Sequence, residues 1–204
     1  MIAIVDYGLG NILAFSNMFK RLNIEARVAR SAGELAGADK IILPGVGAFD
    51  HAMELLQASG MRGVLDELVL EKKMPVLGIC VGMQILAKSS DEGQLPGLGW
   101  IDGHVRAFSA VPEAAGLPLP HMGWNDVLPK AGERLFGQME TDARFYFLHS
   151  FFFECANVES SAATARYGID FSCAVRSANV HGVQFHPEKS HHWGARLLQN
   201  FAEL

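Results

Sequence analysis

The chain has 204 residues, of which 50% are hydrophobic and 19% charged, and its formal net charge is −5. This length fits one domain with a sizeable core, so we expect residues 1–204 to fold as a single domain. The acidic balance, without a basic run, argues against nucleic-acid binding, and the longest apolar run, residues 76–87, is too short to span a bilayer.

Short apolar runs alternate with helical patterns through the first ninety residues. This alternation predicts a parallel sheet covered by helices on both faces. The predicted strands are residues 2–5, 24–28, 40–43 and an apolar run that begins at residue 74, and the predicted helices are residues 11–22, 48–59, 61–72 and 83–88.

The second half has many short strand-like runs with short connections. They predict antiparallel additions to an open, mostly parallel, twisted sheet, so the fold class is α/β. Residues 107–120 are rich in alanine and proline and are predicted to form an exposed loop. A last helix is expected after Ser190, which could cap it, with Trp193, Leu197 and Phe201 on one face. The strand-like runs are residues 100–108, 122–128, 145–153, 161–167, 171–176 and 180–185.

A cysteine lies on a predicted turn between a buried strand and a helix. Gly78 and Gly82 stand two residues to either side of Cys80. Small residues at these positions allow the strained turn that lifts a nucleophile clear of a sheet. The N-terminus of the following helix would favour the thiolate over the thiol. Taken alone, Cys80 could equally be a small buried apolar residue.

The partners for such a nucleophile stand in the sequence Gln184-Phe185-His186-Pro187-Glu188. Proline disfavours the helical region for His186, and in an extended backbone residues two apart point to the same side. Glu188 could therefore orient His186, which makes Cys80, His186 and Glu188 a candidate nucleophile, base and orienting acid. The alternative for this segment is a surface His-Pro-Glu turn.

We expect no metal and no cofactor. His191 and His192 lie close to His186 in sequence, but adjacent side chains diverge on a helix, and thiol chemistry needs no metal. Residues 6–11 resemble a dinucleotide fingerprint that lacks its third glycine, since Leu13 stands there. The odd number of cysteines argues against a disulfide framework and favours a reducing, cytoplasmic setting; they are Cys80, Cys155 and Cys173.

These motifs, taken together, resemble the class I (triad-type) glutamine amidotransferases over nearly the whole chain. Within that family the chain is most similar to the glutaminase subunits of imidazole glycerol phosphate synthase, from histidine biosynthesis. The elbow around Cys80 and the His-Pro-Glu motif are shared by the wider class. The segments that point to these subunits in particular are residues 6–11, the Pro-Gly-Val-Gly turn at 44–47, Met-Gly-Trp-Asn at 122–125 and the Lys189-Ser190 extension. The matching segments are residues 6–11, 44–49, 78–84, 97–99, 121–125, 146–150 and 184–190.

The resemblance implies that L-glutamine is hydrolysed to glutamate and ammonia through a thioester on Cys80. It implies an oxyanion hole made by backbone N–H groups at Val46, Gly47 and Val81, in which the 45–47 turn reorients, and substrate contacts at Gln84, His149 and Ser150. It also implies a separate (β/α)₈-barrel cyclase subunit that receives the ammonia. The residues expected at or near that interface are Asn11, Trp124, Asn125 and Lys189.

Three alternatives remain open at this point. The chain could serve another synthase, such as those for anthranilate, pyridoxal phosphate, guanylate or carbamoyl phosphate. It could be a non-catalytic regulatory module on the same fold, although all three triad residues are present. It could also be a stand-alone cysteine hydrolase or peptidase.

Overall fold

The computed structural model describes residues 1–139 and 142–204, and these ranges contain thirteen strands and five α-helices. The strands are β1 (Ile2–Val5), β2 (Ala26–Ala29), β3 (Lys40–Gly45), β4 (Val76–Cys80), β5 (Ser89–Ser90), β6 (Gly103–Ala107), β7 (His121–Asp126), β8 (Leu128–Pro129), β9 (Arg144–His149), β10 (Phe151–Cys155), β11 (Ser161–Tyr167), β12 (Ile169–Ser177) and β13 (Val180–Val183). The helices are α1 (Ile12–Arg21), α2 (Phe49–Ala58), α3 (Arg62–Asp66), α4 (Val81–Gln84) and α5 (His191–Glu203).

One large sheet holds most of the strands, in the order β2-β1-β3-β4-β13-β12-β10-β6-β5; in addition, β11 pairs with β12, and β8 pairs with β11. The strands in the order β2 to β13 are parallel, whereas the pairs β13–β12, β12–β10 and β10–β6 are antiparallel. The edge strand β5 is parallel to β6. The predicted α/β sheet, parallel first and extended by antiparallel strands, is confirmed. Because β3 and β4 are neighbours in register, Gly45 lies opposite Cys80.

The helices cover the parallel strands through apolar stripes. Phe15, Met18 and Phe19 of α1 are buried, and so are Leu197 and Phe201 of α5. In the sheet, β2 lies on one side of β1, whereas β4 lies on the opposite side of β3. The connections from β1 to β2 and from β3 to β4 therefore run in opposite directions across the sheet. Right-handed crossovers then put α1 and α2 on opposite faces, as the alternating pattern predicts.

The helix predicted over residues 83–88 is wrong in its bounds, because α4 ends at Gln84. The carbonyl groups of residues 85–88 accept hydrogen bonds from the backbone of residues 97–101, as in Leu98 N–H to Ile85 O at 2.8 Å. These long-range partners replace the next helical turn. The helix predicted over residues 61–72 is present, but it changes from α3 to a π-helical turn at Glu67–Glu71.

The single strand predicted over residues 145–153 is two strands in two different sheets. β9 pairs only with β7 in a separate two-stranded sheet, whereas β10 pairs with β6 and β12 in the large one. The break falls at Ser150, whose carbonyl accepts a hydrogen bond from Phe108 N–H at 3.1 Å. An unbroken apolar run gives no sign of this change of sheet.

Two smaller predictions are wrong. Residues 107–120 are not wholly exposed, because Phe108 is fully buried and lies 4.8 Å from the ring of Phe152 and 5.3 Å from that of Phe171. Ser190 precedes α5 but does not cap it with its side chain. Its hydroxyl instead donates to His186 O at 2.6 Å and accepts from Tyr146 N–H at 3.0 Å, which ties the His186 segment to β9.

None of the helices in residues 1–139 and 142–204 has the length and apolar character needed to cross a membrane.

Candidate active site

The predicted elbow is present where β4 meets α4. Cys80 has φ +55° and ψ −116°, a strained conformation for a residue with a side chain. A Cβ atom added to Gly82 would lie 1.9 Å from Leu43 O, and one added to Gly78 would lie 2.5 Å from Gly82 O. Both flanking positions therefore require glycine because backbone atoms approach each other closely there.

His186 and Glu188 form a hydrogen-bonded pair beneath this turn. His186 has the extended backbone that the sequence predicts, with φ −103° and ψ 95°. Its Nδ1 lies 2.9 Å from Glu188 Oε1, and the two side chains are only 4% and 3% exposed. The carboxylate therefore fixes Nδ1 as a donor and leaves Nε2 for other chemistry.

Nε2 of His186 is buried and has no hydrogen-bond partner of good geometry among the described residues. His186 and Cys80 line the same cavity. Burial alone would lower the pKa of His186, but Cys80 and Glu188 outweigh that effect and raise it to about 9. Both neighbours favour the protonated imidazolium, so the imidazole can hold the proton that the Cys80 thiol gives up.

Two buried glutamines lie next to the sulfur of Cys80 and to each other. Gln184 Nε2 lies 3.9 Å from Cys80 Sγ, and its Oε1 accepts from Gln84 Nε2 at 3.0 Å. Gln84 also contacts Phe151 O at 3.4 Å. Gln84 is therefore a buried group at the floor of the site, and its amide links the elbow to the start of β10.

The turn after β3 also borders the cavity, through Val46 and Gly47. Val46 is 40% exposed, and Gly47 has φ +92° with nothing within 4 Å of an added Cβ. A Cβ atom on Gly45, in contrast, would lie 2.6 Å from Gly82 N. Gly47 therefore has room to reorient, whereas any side chain at Gly45 would also disturb the elbow, so the fold is not expected to tolerate Gly45→Pro.

These elements enclose a cavity of about 310 Å³, at the small end of the range for ligand sites. Glu188 stands behind His186, outside the lining. The sequence did not indicate Glu92, which also lines the cavity and accepts from Phe49 N–H at 2.9 Å; in sequence it looks like part of an exposed acidic turn. The predicted residues that line the cavity are Val46, Gly47, Cys80, Val81, Gln84, His149, Ser150, His186 and Lys189.

The residues expected at the partner interface divide into two groups. Asn11, Trp124 and Lys189 are exposed, and Trp124 stacks on His191 with ring centroids 5.4 Å apart. Asn125 lies on the opposite face of β7, because successive strand residues alternate. Its amide contacts His121 Nε2 at 3.2 Å and Arg166 O at 2.9 Å, so this side chain is committed within the chain.

Within residues 1–139 and 142–204, no group of three or more His, Cys, Asp or Glu side chains is arranged to hold a metal ion.

Comparison with known proteins gives a consistent picture. Residues 3–204 match the family model described as glutamine amidotransferase class-I. The chain is 66% identical to the imidazole glycerol phosphate synthase subunit HisH of Bdellovibrio bacteriovorus and 50% identical to that of Leptospira borgpetersenii, in both cases over all of both chains.

Solved structures show the same fold at low identity. A crystal structure of a glutamine amidotransferase superposes with a TM-score of 0.76 at 22% identity and covers 99% of this chain and 97% of its own. A glutamine amidotransferase from Thermotoga maritima gives 0.63 at 20% identity, covering 99% and 80%. Together with the sequence matches, these similarities show that this chain belongs to the class I glutamine amidotransferase family, among the HisH subunits of imidazole glycerol phosphate synthase.

Proposed function

We propose that this glutaminase subunit hydrolyses L-glutamine at the Cys80–His186–Glu188 site and passes the ammonia directly to a (β/α)₈-barrel cyclase. The observation that carries the assignment of the site is that His186 lines one cavity with Cys80 and, among the described residues, has no partner for Nε2 while Glu188 holds Nδ1. A nucleophile, a base and an orienting carboxylate are thus in the order that acyl transfer needs.

In the first step, the sulfur of Cys80 attacks the carboxamide carbon of glutamine and the thiol proton resides on His186 Nε2. The carbonyl oxygen becomes an oxyanion, which needs donors already aimed at it. The backbone N–H of Val81, at the start of α4, is one donor in this proposal. The turn at Val46 and Gly47 supplies the other, and the open space around Gly47 supports its reorientation.

Collapse of this intermediate breaks the carbon–nitrogen bond. His186 returns its proton to the departing nitrogen, so ammonia leaves and a thioester remains on Cys80. His186 then takes a proton from water, which attacks the thioester and releases glutamate. The imidazolium is favoured by both Cys80 and Glu188, which suits a group that must hold a proton between these steps.

The amino-acid end of glutamine requires an anion for its ammonium group and donors for its carboxylate. Among the described residues that line the cavity, Glu92 is the one with a carboxylate. Burial raises the pKa of Glu92, while the N–H of Phe49 and nearby Asp50 act on it in opposite directions. We assign the ammonium group to Glu92 and Gln84, and the carboxylate to the backbone at His149 and Ser150.

The need for a partner follows from the product. Free ammonia is mostly protonated at neutral pH and is then not a nucleophile, so it must reach its acceptor without entering bulk water. Exposed apolar side chains on α1 and β7 support a docking surface: Leu13 is 73% exposed, Met122 65% and Trp124 40%. We place the cyclase on this surface, with Asn11 and Lys189 beside it, to form a heterodimer.

Two further expectations belong to this proposal. We propose that residues 1–204 act as one domain, supported by the large sheet, whose strands run from Ile2 to Val183. We also propose a cytoplasmic setting, which the three free thiols support.

The test is an assay of glutamate release by wild type and Cys80→Ala, each alone and with the cyclase and its nucleotide ligand. We expect partner-stimulated release by wild type and none by Cys80→Ala. Release that persists in Cys80→Ala would contradict the proposed nucleophile. Turnover of peptides without a partner would favour the stand-alone hydrolase. Stimulation by a different synthase would show that the ammonia serves that synthase and not the cyclase.

A further inference from the structure

Tyr7 is a buried side chain next to the site that the mechanism above leaves without a role. It lies two residues after the end of β1, and the residue is 5% exposed. Its hydroxyl is buried and has no hydrogen-bond partner among the described residues. An unpaired buried hydroxyl destabilises a fold, and a phenylalanine would fill the same space without that penalty.

The sheet places this hydroxyl beside the elbow. β3 lies between β1 and β4, and Gly45 at the end of β3 stands opposite Cys80. A Cβ atom on Gly45 would lie 3.0 Å from Tyr7 Oη and 2.6 Å from Gly82 N. The hydroxyl therefore reaches over Gly45 towards the elbow, into space that exists because Gly45 has no side chain.

The charge of the nucleophile acts on this phenol. Burial raises the pKa of Tyr7, and the negative charge of the Cys80 thiolate raises it further. Tyr7 therefore keeps its proton throughout the working range and remains a donor. The thiolate, for its part, has one neutral donor in place, the amide of Gln184 at 3.9 Å, which is long and weak.

We propose that the Tyr7 hydroxyl donates a hydrogen bond to the Cys80 thiolate and so acts as a positioning residue that holds the nucleophile ionised before glutamine binds. The orphaned hydroxyl gains its partner when the thiolate forms. This inference deepens the proposed function and rests on it for the role of Cys80. The other titratable groups around the cavity are His186, Glu188, His149, Glu92 and Lys189.

The experiment compares wild type with Tyr7→Phe in the rate at which iodoacetamide alkylates Cys80, from neutral to alkaline pH. Mass spectrometry of the Cys80 peptide separates this thiol from Cys155 and Cys173. We expect alkylation of Tyr7→Phe to be roughly tenfold slower at neutral pH. The difference should vanish at high pH, where the thiolate is complete in both proteins.

Tyr167→Phe is the matched control, because its hydroxyl bonds to Pro118 O in a loop. It should leave alkylation of Cys80 unchanged. Thermal denaturation adds a second readout: Tyr7→Phe should melt no lower than wild type, since its hydroxyl has no other partner to lose. A structural role would instead lower the melting temperature together with reactivity.

Identical alkylation profiles for Tyr7→Phe and wild type would overturn the proposal. So would normal alkylation combined with lost glutamine turnover, because the hydroxyl would then serve the 45–47 turn. Should Tyr7→Phe fail to fold, the ultraviolet titration of tyrosine in wild type and Cys80→Ala decides: Tyr7 should ionise at lower pH without the thiolate, and an unchanged titration overturns the proposal. Alkylation needs no glutamine, so a Tyr7 effect in a protein that releases no glutamate would contradict the glutaminase assignment alone.

Discussion

His121 and His149 are hydrogen-bonded to each other through ring nitrogens 2.9 Å apart. His149 Nδ1 lies 2.7 Å from Phe151 O, and a carbonyl can only accept, so Nδ1 is the donor and Nε2 accepts from His121. His121 Nε2 then accepts from the Asn125 amide at 3.2 Å. The two rings are both neutral. Through its contact with Phe151 O, the pair spans the break between β9 and β10 at Ser150 and fixes one wall of the cavity.

Because both rings are buried and neutral, the free energy of unfolding depends on pH in the acidic range. Burial lowers the pKa of His149 from 6.5 to about 3 and that of His121 to about 4. The unfolded chain therefore binds protons first, and the free energy of unfolding falls as pH drops below 6.5. For His149 alone the loss between about pH 7.5 and about pH 5 is about 2 kcal/mol.

Chemical denaturation of wild type and His149→Gln at these two pH values checks this prediction. The variant should be less stable at the higher pH, because it loses its hydrogen bonds, but its stability should change less with pH. His51→Gln is the control, since His51 is exposed on α2. An equal pH dependence in His149→Gln and wild type would refute the buried neutral ring.

At alkaline pH His186 acts in the opposite direction: its raised pKa adds stability that is lost as pH rises from 6.5 through about 9.

Glu188→Gln should separate two effects of Glu188 on His186: the hydrogen bond that orients the imidazole and the negative charge that raises its pKa. The amide oxygen can still accept from His186 Nδ1, but the negative charge that helps to raise the pKa of His186 is gone. We expect kcat to fall by about 100-fold and the pKa of His186 to fall. NMR titration of the imidazole and steady-state kinetics measure the two effects. Glu154→Gln, which removes a carboxylate that pairs with Arg106, serves as the control, and wild-type kcat in Glu188→Gln would speak against an orienting role.

Gly82→Ala should destabilise the protein strongly. The new methyl group would lie 1.9 Å from Leu43 O. The methyl carbon is bonded directly to the backbone of residue 82, and Leu43 O is itself a backbone atom, so neither can turn away as a flexible side chain would. We expect the free energy of unfolding to fall by about 3 kcal/mol or more. Gly63→Ala is the matched control because it lies in α3 with nothing within 4 Å, and it should add about 0.5 to 1 kcal/mol. Equal melting temperatures for the two variants would show that the elbow has room to relax.

Glu92→Gln should weaken glutamine binding without affecting the nucleophile. The amide keeps an acceptor for Phe49 N–H but loses the charge that we assign to the substrate ammonium. We expect KM for glutamine to rise by about 10- to 100-fold, as for a lost hydrogen bond to a charged group. Alkylation of Cys80 by iodoacetamide, which has no ammonium group, should be unchanged. Glu54→Gln, on the surface of α2, is the control for the loss of one negative charge. A normal KM in Glu92→Gln would show that the ammonium group binds in another part of the cavity.

The sequence was informative where local chemistry determines geometry. Gly78 and Gly82 predict the elbow because the close backbone approach there tolerates no side chain, and Pro187 predicts the extended shape that joins His186 to Glu188. These constraints act within a few residues, so they can be read without the fold. The order of the parallel strands, in contrast, is a property of the whole sheet that these local patterns do not predict.

Long-range contacts explain what the sequence did not indicate. The helix after Cys80 ends early because residues 97–101 take over its carbonyl groups. The His121–His149 bond and the cavity position of Glu92 depend on segments about 30 to 40 residues apart in the chain. Nothing in the apolar run around Ser150 indicates that its two halves join different sheets. Such features arise from tertiary partners that no local pattern encodes.

Leu13→Glu should weaken the complex with the cyclase without affecting the isolated chain. Leu13 is 73% exposed on the first turn of α1, next to Asn11, and the preceding Gly10 packs against Pro44 beside the 45–47 turn. A buried charge at the interface should reduce partner affinity by at least about tenfold. Titration of the cyclase against glutamate release measures this, with Val158→Glu as control, since Val158 is 69% exposed beyond the end of β10 that lies away from the cavity. If both variants bind equally well, the cyclase docks elsewhere, and the ammonia must leave the cavity by another side.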